Sequence, residues 1–172
     1  DPKALAAAET RAKLDLHADQ KSAVLGLLAE PVGLLTGGPG VGKTTIIRLV
    51  VDLAKAAGAK IKLASPTGRA AKRLSEATGH EASTIHRLLG WDPQNSCFKH
   101  DSETPLEADL VVVDEISMLD VVLAYHLTQA IRPSTRLVLV GDPDQLPSVG
   151  PGNVLSDLLS CDEVPVHRLT EI

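Results

Sequence analysis

Gly37-Gly38-Pro39-Gly40-Val41-Gly42-Lys43-Thr44 fits the spacing G-x-x-x-x-G-K-[ST], and residues of those types in that order can hold a polyphosphate. Without Cβ atoms, Gly38, Gly40 and Gly42 let backbone N–H groups converge on phosphate oxygens, and the N–H groups of Val41 and Thr45 complete the cradle. The helix expected to start at Lys43 adds partial positive charge at its N-terminus. Lys43 would neutralise the β- and γ-phosphates, and the Thr44 hydroxyl would ligate Mg²⁺. A nucleoside triphosphate with Mg²⁺ is therefore the expected ligand.

Two further groups of residues could act on it. Val111-Val112-Val113-Asp114-Glu115 puts two carboxylates at the end of a continuous apolar run. In a parallel sheet, that end is where ligand chemistry is placed. Asp114 would hold Mg²⁺, directly or through water, and Glu115 would polarise an attacking water. Leu139-Val140-Gly141-Asp142-Pro143-Asp144-Gln145 also follows an apolar run. The Gln145 amide can donate to a γ-phosphate oxygen and accept from water at once, as a sensor of the γ-phosphate would.

These groups need strands that end together and helices that pack on them. Val32 to Leu35, Lys60 to Ala64, Leu110 to Val113 and Leu137 to Val140 read as short buried strands. Helical segments are expected from Asp19, as cap, to about Glu30, from Lys43 to about Ala57, from Arg69 to Ala77, and from Asp120 to Ile131. Ser83 or Thr84 caps a further short helix that ends near Gly90, and Asp1 to Leu16 is a helix or part of a linker. Apolar strands alternating with helices give an α/β fold, a mostly parallel sheet with helices on both faces. The turn-rich stretch from Trp91 to Pro105 interrupts the alternation with two possible short strands around Asp92-Pro93-Gln94-Asn95-Ser96.

At 172 residues the chain suits one domain that buries about two-thirds of its unfolded surface. With Trp91, Phe98 and Tyr125 as its aromatics, its core must be aliphatic. No apolar run reaches the length of a membrane span, so no membrane partner is expected. Cys97 and Cys161 stand apart and suggest neither a metal site nor a disulfide framework, which fits a reduced cytoplasmic protein. The net charge of −5 argues against a wholly basic surface, but the charges are segregated. Lys55, Lys60, Lys62, Arg69, Lys72 and Arg73 form a stretch without acids, whereas Asp101 to Asp120 carries seven acids and no base. A local track for a polyanion and a solvated basic helix face both fit the first stretch.

Taken in order, the motifs resemble those of superfamily 1 helicases, and among them the RecD-like DNA helicases. Gln20 looks like the family's adenine-reading glutamine, and Gly37 to Thr44 matches motif I. Ser65-Pro66-Thr67-Gly68-Arg69-Ala70-Ala71-Lys72-Arg73-Leu74 resembles motif Ia, and Thr84-Ile85-His86-Arg87-Leu88-Leu89 resembles the next motif that contacts single strands. Asp114-Glu115-Ile116-Ser117-Met118 matches motif II, and Gly141 to Pro147 matches motif III.

The resemblance implies a RecA-like P-loop NTPase motor domain over residues 17–172, preceded by an N-terminal helix or linker over 1–16. It also implies a small β-hairpin insert at about 91–106 that helps part a duplex, with ATP and Mg²⁺ as cofactors. Single-stranded DNA would be the partner, its phosphates held by Thr67, Arg69 and Lys72, with Thr84 and His86 as a second grip. For His86, a capping or core role stands equally, and Trp91 and Phe98 either anchor the hairpin or stack on a base. The family pattern continues beyond Arg168-Leu169-Thr170-Glu171-Ile172 into a second RecA-like domain that supplies arginine fingers. On this reading the fragment alone binds nucleotide, hydrolyses it weakly or not at all, and does not unwind DNA. The parent would translocate 5′ to 3′ on single-stranded DNA in repair or recombination, with any nuclease or repair-complex subunits unknown. Other readings are a P-loop ATPase of another class and a non-hydrolysing nucleotide-binding subunit of a repair complex.

Overall fold

Residues 1–170 are described by the computed structural model; Glu171 and Ile172, on which the expected domain ends, lie outside the described residues. In chain order the elements are α1 (Pro2–Ala12), α2 (Ala18–Ala29), β1 (Val32–Thr36), α3 (Lys43–Ala56), β2 (Ile61–Ser65), α4 (Gly68–Thr78), β3 (Ala82–Thr84) and α5 (Ile85–Leu89). They continue with β4 (Trp91–Asp92), β5 (Cys97–Phe98), β6 (Leu110–Val113), a 3₁₀ turn (Ile116–Met118), α6 (Val121–Gln129), β7 (Arg136–Gly141), α7 (Val154–Leu159) and β8 (Val166–Arg168).

Six strands form one sheet in the order β3-β2-β6-β7-β1-β8, with every pairing parallel. The central strands are apolar throughout because both faces are covered, and their alternate residues enter two different cores. Leu63, Leu110, Val112, Val138, Val140 and Leu35 face α1, α2, α3 and α4. Ala64, Val111, Val113, Leu137, Leu139 and Leu34 face α5, α6, α7 and the 3₁₀ turn. Val111, Val112 and Val113 have no solvent exposure. Fully burying one such side chain stabilises the fold by about 1.5–3 kcal/mol, so the strand carrying the acid pair is rigidly seated.

The anticipated β-hairpin is present, with Trp91 paired to Phe98 and Asp92 to Cys97. Asp92 holds its turn by accepting from the backbone N–H groups of Gln94 (2.9 Å) and Asn95 (3.4 Å). Within residues 1–16, Pro2–Ala12 forms α1, whose Leu5 and Ala8 are buried in the α3 side of the core.

Three details differ from expectation. Asp19 does not cap α2: it lies in the first turn of a helix capped at His17, whose N–H is held by Gln20 Oε1 at 3.0 Å. A Gln three residues into a helix can reach back in this way, which the Asp at the second position cannot do. The strands β3 and β8 and the helix α7 were unanticipated. Their short sequences, Ala82-Ser83-Thr84 and Val166-His167-Arg168 among them, have little apolar character and acquire strand geometry by pairing with β2 and β1.

Candidate active site and nucleic-acid-facing surface

Because all six strands run parallel, the loops after β1, β6 and β7 open at the same sheet end and surround a cavity of about 420 Å³. The phosphate loop occupies one wall. Gly40 (φ +78°) and Gly42 (φ +89°) take left-handed backbone conformations that side-chain-bearing residues adopt only at a cost. A Cβ at Gly38 or Gly40 would meet no atom within 4 Å, so both glycines border open space. Lys43, the first residue of α3, points back over the loop and donates from Nζ to the carbonyl oxygens of Gly37 and, at 2.8 Å, Gly38. Lys43 and Thr44 line the cavity with Gly40 and Gly42. Val41 is buried beneath the loop and Thr45 is half-buried in the first turn of α3.

The opposite wall is the end of β6. Asp114 is anchored on both sides: its N–H donates to Ala64 O at 3.0 Å, and its carbonyl accepts from Ser65 Oγ at 3.3 Å. Its carboxylate accepts from the Glu115 N–H at 2.8 Å. Burial pushes the Asp114 carboxyl up to about 6; that hydrogen bond draws it back, the Glu115 charge raises it, and the Lys43 and Arg73 charges lower it. Such a carboxyl gains from a nearby cation. Glu115 itself sits at φ 58°, ψ 39°, a left-handed conformation that costs a non-glycine residue on the order of 1 kcal/mol. That conformation swings the chain from β6 into the 3₁₀ turn and leaves both acids on the cavity wall.

Beyond β7, Gly141, Asp142 and Gln145 close the third side. Asp142 is buried and accepts from the Asp144 N–H at 2.9 Å, while its carbonyl accepts from the Gln145 N–H at 3.2 Å, which folds the loop toward the acids. Ser117 Oγ donates to Gln145 Oε1 at 3.3 Å, leaving the Gln145 amide N–H groups free to donate. Thus Lys43, Thr44, Asp114, Glu115 and Gln145, from three distant parts of the sequence, line one cavity.

The carboxylate of Asp114 and the hydroxyl of Thr44 on facing walls fit Mg²⁺, which takes one or two protein oxygens and completes its shell with phosphate and water. Among the described residues, no group of three or more His, Cys, Asp and Glu side chains gathers as a metal cage. Gln20 stands apart from this cavity: it is buried and its carboxamide oxygen is taken by the His17 N–H.

The expected DNA contacts divide into two groups. Thr67 caps α4, its Oγ1 accepting from the Ala70 N–H at 3.3 Å, while Arg69 and Lys72 stand exposed on that helix. Thr84 likewise caps α5, accepting from the Arg87 N–H at 3.2 Å. His86 is exposed at the hairpin, with its ring 6.2 Å from Trp91 and 5.8 Å from Phe98 between centroids. Trp91 and Phe98 are 4.8 Å apart, and Phe98 is 4.7 Å from His126 on α6. Phe98 therefore anchors the hairpin to the domain, whereas Trp91 remains 41% exposed.

The acid-free basic stretch is split by the sheet. Lys62 shares the face of Ala64, which packs toward α5 and α6, while Arg69, Lys72 and Arg73 belong to α4 on the other face. Sequence reasoning missed Ser65 and Ser117, which fix the acid and the glutamine, and Arg73, whose charge acts on Asp114. Both serines lie inside the quoted motifs, but only the pairing of β6 with β2 brings Ser65 to Asp114, and only its pairing with β7 brings Ser117 near Gln145.

A sequence model of the AAA domain family matches residues 20–151. The chain is 43% identical over 162 residues to the ATP-dependent RecD2 DNA helicase of Deinococcus radiodurans, covering 94% of this chain and 22% of that protein. It is 44% identical over 165 residues to the RecBCD enzyme subunit RecD of Mycolicibacterium smegmatis, covering 82% of this chain and 30% of that subunit. The chain thus spans less than a third of either relative. Among solved structures, a Pif1 helicase from a study of unwinding at forked double-stranded DNA superposes with a TM-score of 0.64 at 23% identity, covering 92% of this chain and 44% of that one. That likeness supports the fold, a parallel sheet carrying a phosphate loop. The chain belongs to the AAA domain family, and its sequence is similar to part of the RecD2 helicase and of the RecD subunit.

Proposed function

We propose that this chain is the ATP-hydrolysing motor domain of a DNA helicase that moves along single-stranded DNA and unwinds duplex in repair or recombination. The observation that carries the proposal is the convergence of Lys43, Thr44, Asp114, Glu115 and Gln145 on one cavity, in a chain whose relatives are named as DNA helicases. ATP lays its phosphates on the backbone of Gly38 to Thr45. Lys43 leaves the carbonyls of Gly37 and Gly38 to meet the β- and γ-phosphates. Bound between Thr44 and Asp114, Mg²⁺ would neutralise charge on the phosphates. Glu115 accepts a proton from the attacking water, and Gln145, oriented by Ser117, reads the γ-phosphate.

Gln20 keeps its amide N–H groups available for the adenine ring even while its oxygen caps α2. Leu146 and Val149 stand fully exposed beside the motif III loop, and this suits a second RecA-like domain of the parent chain closing over the cavity. That domain supplies arginine fingers, worth roughly 10³–10⁵ in rate, so the domain alone turns over weakly or not at all. Thr67, Arg69 and Lys72 hold DNA phosphates, with Thr84 and His86 as the second grip and the hairpin beside them as a wedge. Movement runs 5′ to 3′, as in RecD-like enzymes, and the protein works in the cytoplasm. No helix among the described residues is long and apolar enough to cross a membrane.

The test is ATP hydrolysis by the full-length parent, with and without single-stranded DNA, across a salt series, alongside Glu115→Gln. Stimulation by single strands that is lost in the variant is the expected result. Turnover insensitive to every DNA would point to a P-loop ATPase of another class. Nucleotide binding without turnover on any DNA would point to a non-hydrolysing subunit.

A further inference from the structure

A second concavity, roomier than the nucleotide cavity, is a groove of about 890 Å³ on the α5 side of the sheet. Its floor is the first half of β2, where Lys62 lies two residues before the buried Ala64 on the same face. A lysine is tolerated there because α5 and the hairpin cover only the far half of the strand, so the ammonium stays solvated. Lys60 extends the floor, and Arg87 on α5 forms one wall.

The hairpin root forms the other wall. Lys99 and His100 are held in register because the Lys99 N–H donates to Gly90 O (3.0 Å) and the His100 N–H to Leu89 O (2.9 Å). A Cβ on Gly90 would come within 2.8 Å of Lys99 Cβ, so only glycine lets the lysine seat there. Glu81 and Glu107 are the groove's acids and the Lys60 N–H donates to the Asp109 carboxylate at 2.7 Å, yet no side-chain cation of Lys60, Lys62, Arg87 or Lys99 forms an ion pair within 4 Å among the described residues. Four side-chain cations against Glu81, Glu107 and, beside Lys60, Asp109, on a domain of net charge −5, concentrate positive potential in one place.

This groove cannot be part of the grip formed by α4. The sheet lies between them, since Arg69 and Lys72 belong to the opposite layer. Consecutive residues of α5, about 100° apart around the helix, have different neighbours: His86 meets the aromatic rings of the hairpin, and Arg87 lines the groove. The groove thus lies along the hairpin root, away from the aromatic rings.

We infer that the groove takes the phosphate backbone of a second single strand, the one displaced as duplex is opened, on a path separate from the strand held at α4 and α5. The inference rests on the helicase reading above. An unwinding reaction yields two polyanions, and point charges on flexible lysines hold a backbone without reading its sequence. Keeping the displaced strand in this groove, with the sheet between it and the α4 cations, would slow its re-annealing.

The experiment uses the full-length enzyme and forked DNA whose displaced arm carries either ordinary phosphodiesters or an uncharged methylphosphonate backbone. Wild type should bind the charged-arm fork about 3- to 10-fold more tightly at low salt, and its log–log salt slope should be steeper by about 0.7 per lost contact. Lys62→Ala/Lys99→Ala, two exposed positions outside the nucleotide cavity, should erase that difference and leave ATP hydrolysis stimulated by the tracking strand unchanged. Equal binding of the two forks by wild type would overturn the inference. So would a variant that keeps the full difference, or one that loses protease resistance of the parent chain with fork binding intact, which would make the groove a seat for another domain. Wild-type ATP hydrolysis that no single strand stimulates would instead sink the helicase reading on which the inference stands.

Discussion

The nucleotide cavity and the basic flank around the hairpin are built on opposite principles. In the cavity, the polar groups are tied to partners: Lys43 to two carbonyls, Asp114 to Ser65 and to the Glu115 N–H, and Gln145 to Ser117. On the flank, Arg69, Arg87 and Lys99 are solvated without an acid within 4 Å, and Lys72 reaches only Glu76, at 4.0 Å. The difference follows from the two tasks. Stabilising charge as it develops on a phosphate needs dipoles already in place. Holding a strand that must slide needs attraction without fixed geometry, and that attraction is shared over several weak, salt-sensitive contacts.

If this contrast holds, damage to the cavity is severe and damage to the flank is graded. Lys43→Ala in the full-length enzyme should lower DNA-stimulated turnover about 10²- to 10³-fold, measured by steady-state ATP hydrolysis, with single-strand affinity little changed. A mild loss would mean that the cradle of backbone N–H groups suffices without the ammonium.

Asp114→Asn separates function from stability at the same site. Because the folded carboxyl titrates near 6 and the unfolded one near 3.8, the folded state binds the proton more tightly. Stability is therefore lost as pH rises from about 4 to about 6, and the full penalty is present above pH 7. Without nucleotide or Mg²⁺, the variant should be more stable than wild type at pH 7.5 by at most about 3 kcal/mol, or about 6–12 °C in Tm, and equal to it near pH 3.5. Thermal unfolding at the two pH values reads this directly; a variant less stable at pH 7.5 would show that the carboxylate is satisfied by its neighbours.

On the flank, Arg69→Ala/Lys72→Ala should weaken binding of single strands of any sequence by about 10-fold at low salt and reduce the salt slope by about 1.4, measured by fluorescence anisotropy. A sequence-dependent loss would mean that α4 reads bases. The smallest effect is expected at Trp91→Ala. It removes a cross-strand pair at an exposed hairpin and should cost no more than about 1 kcal/mol in denaturant unfolding. A larger loss would make the hairpin part of the core rather than an appendage.

Local chemistry made much of this legible in the sequence. The phosphate loop declares itself because positive φ at Gly40 and Gly42 demands glycine. The strand ends near Asp114 and Gly141 are visible because Leu110 to Val113 and Leu137 to Val140 are continuous apolar runs, as buried parallel strands require. Thr67, Thr84 and Asp120 each cap the helix that follows, as their short oxygen-bearing side chains allow. Hidden from the sequence were β3 and β8, whose few residues take strand form only by pairing with neighbours. Hidden too was the role of Gln20 at its own helix terminus, since a capping side chain and a base-reading side chain have the same composition.

By itself, the sequence determined the loop, the acid pair, the glutamine and the order of strands and helices between them, because each follows from backbone sterics or hydrophobic period within a few residues. Tertiary structure decided which of those residues meet. It set the register that joins Ser65 to Asp114, it placed β6 beside β7 so that Ser117 meets Gln145 in the segments that follow, and it divided one basic stretch between two faces of the sheet. The physical reason is the alternation of side chains along β2: a shift of one residue moves a lysine from one side of the sheet to the other, and only pairing with β6 fixes that register.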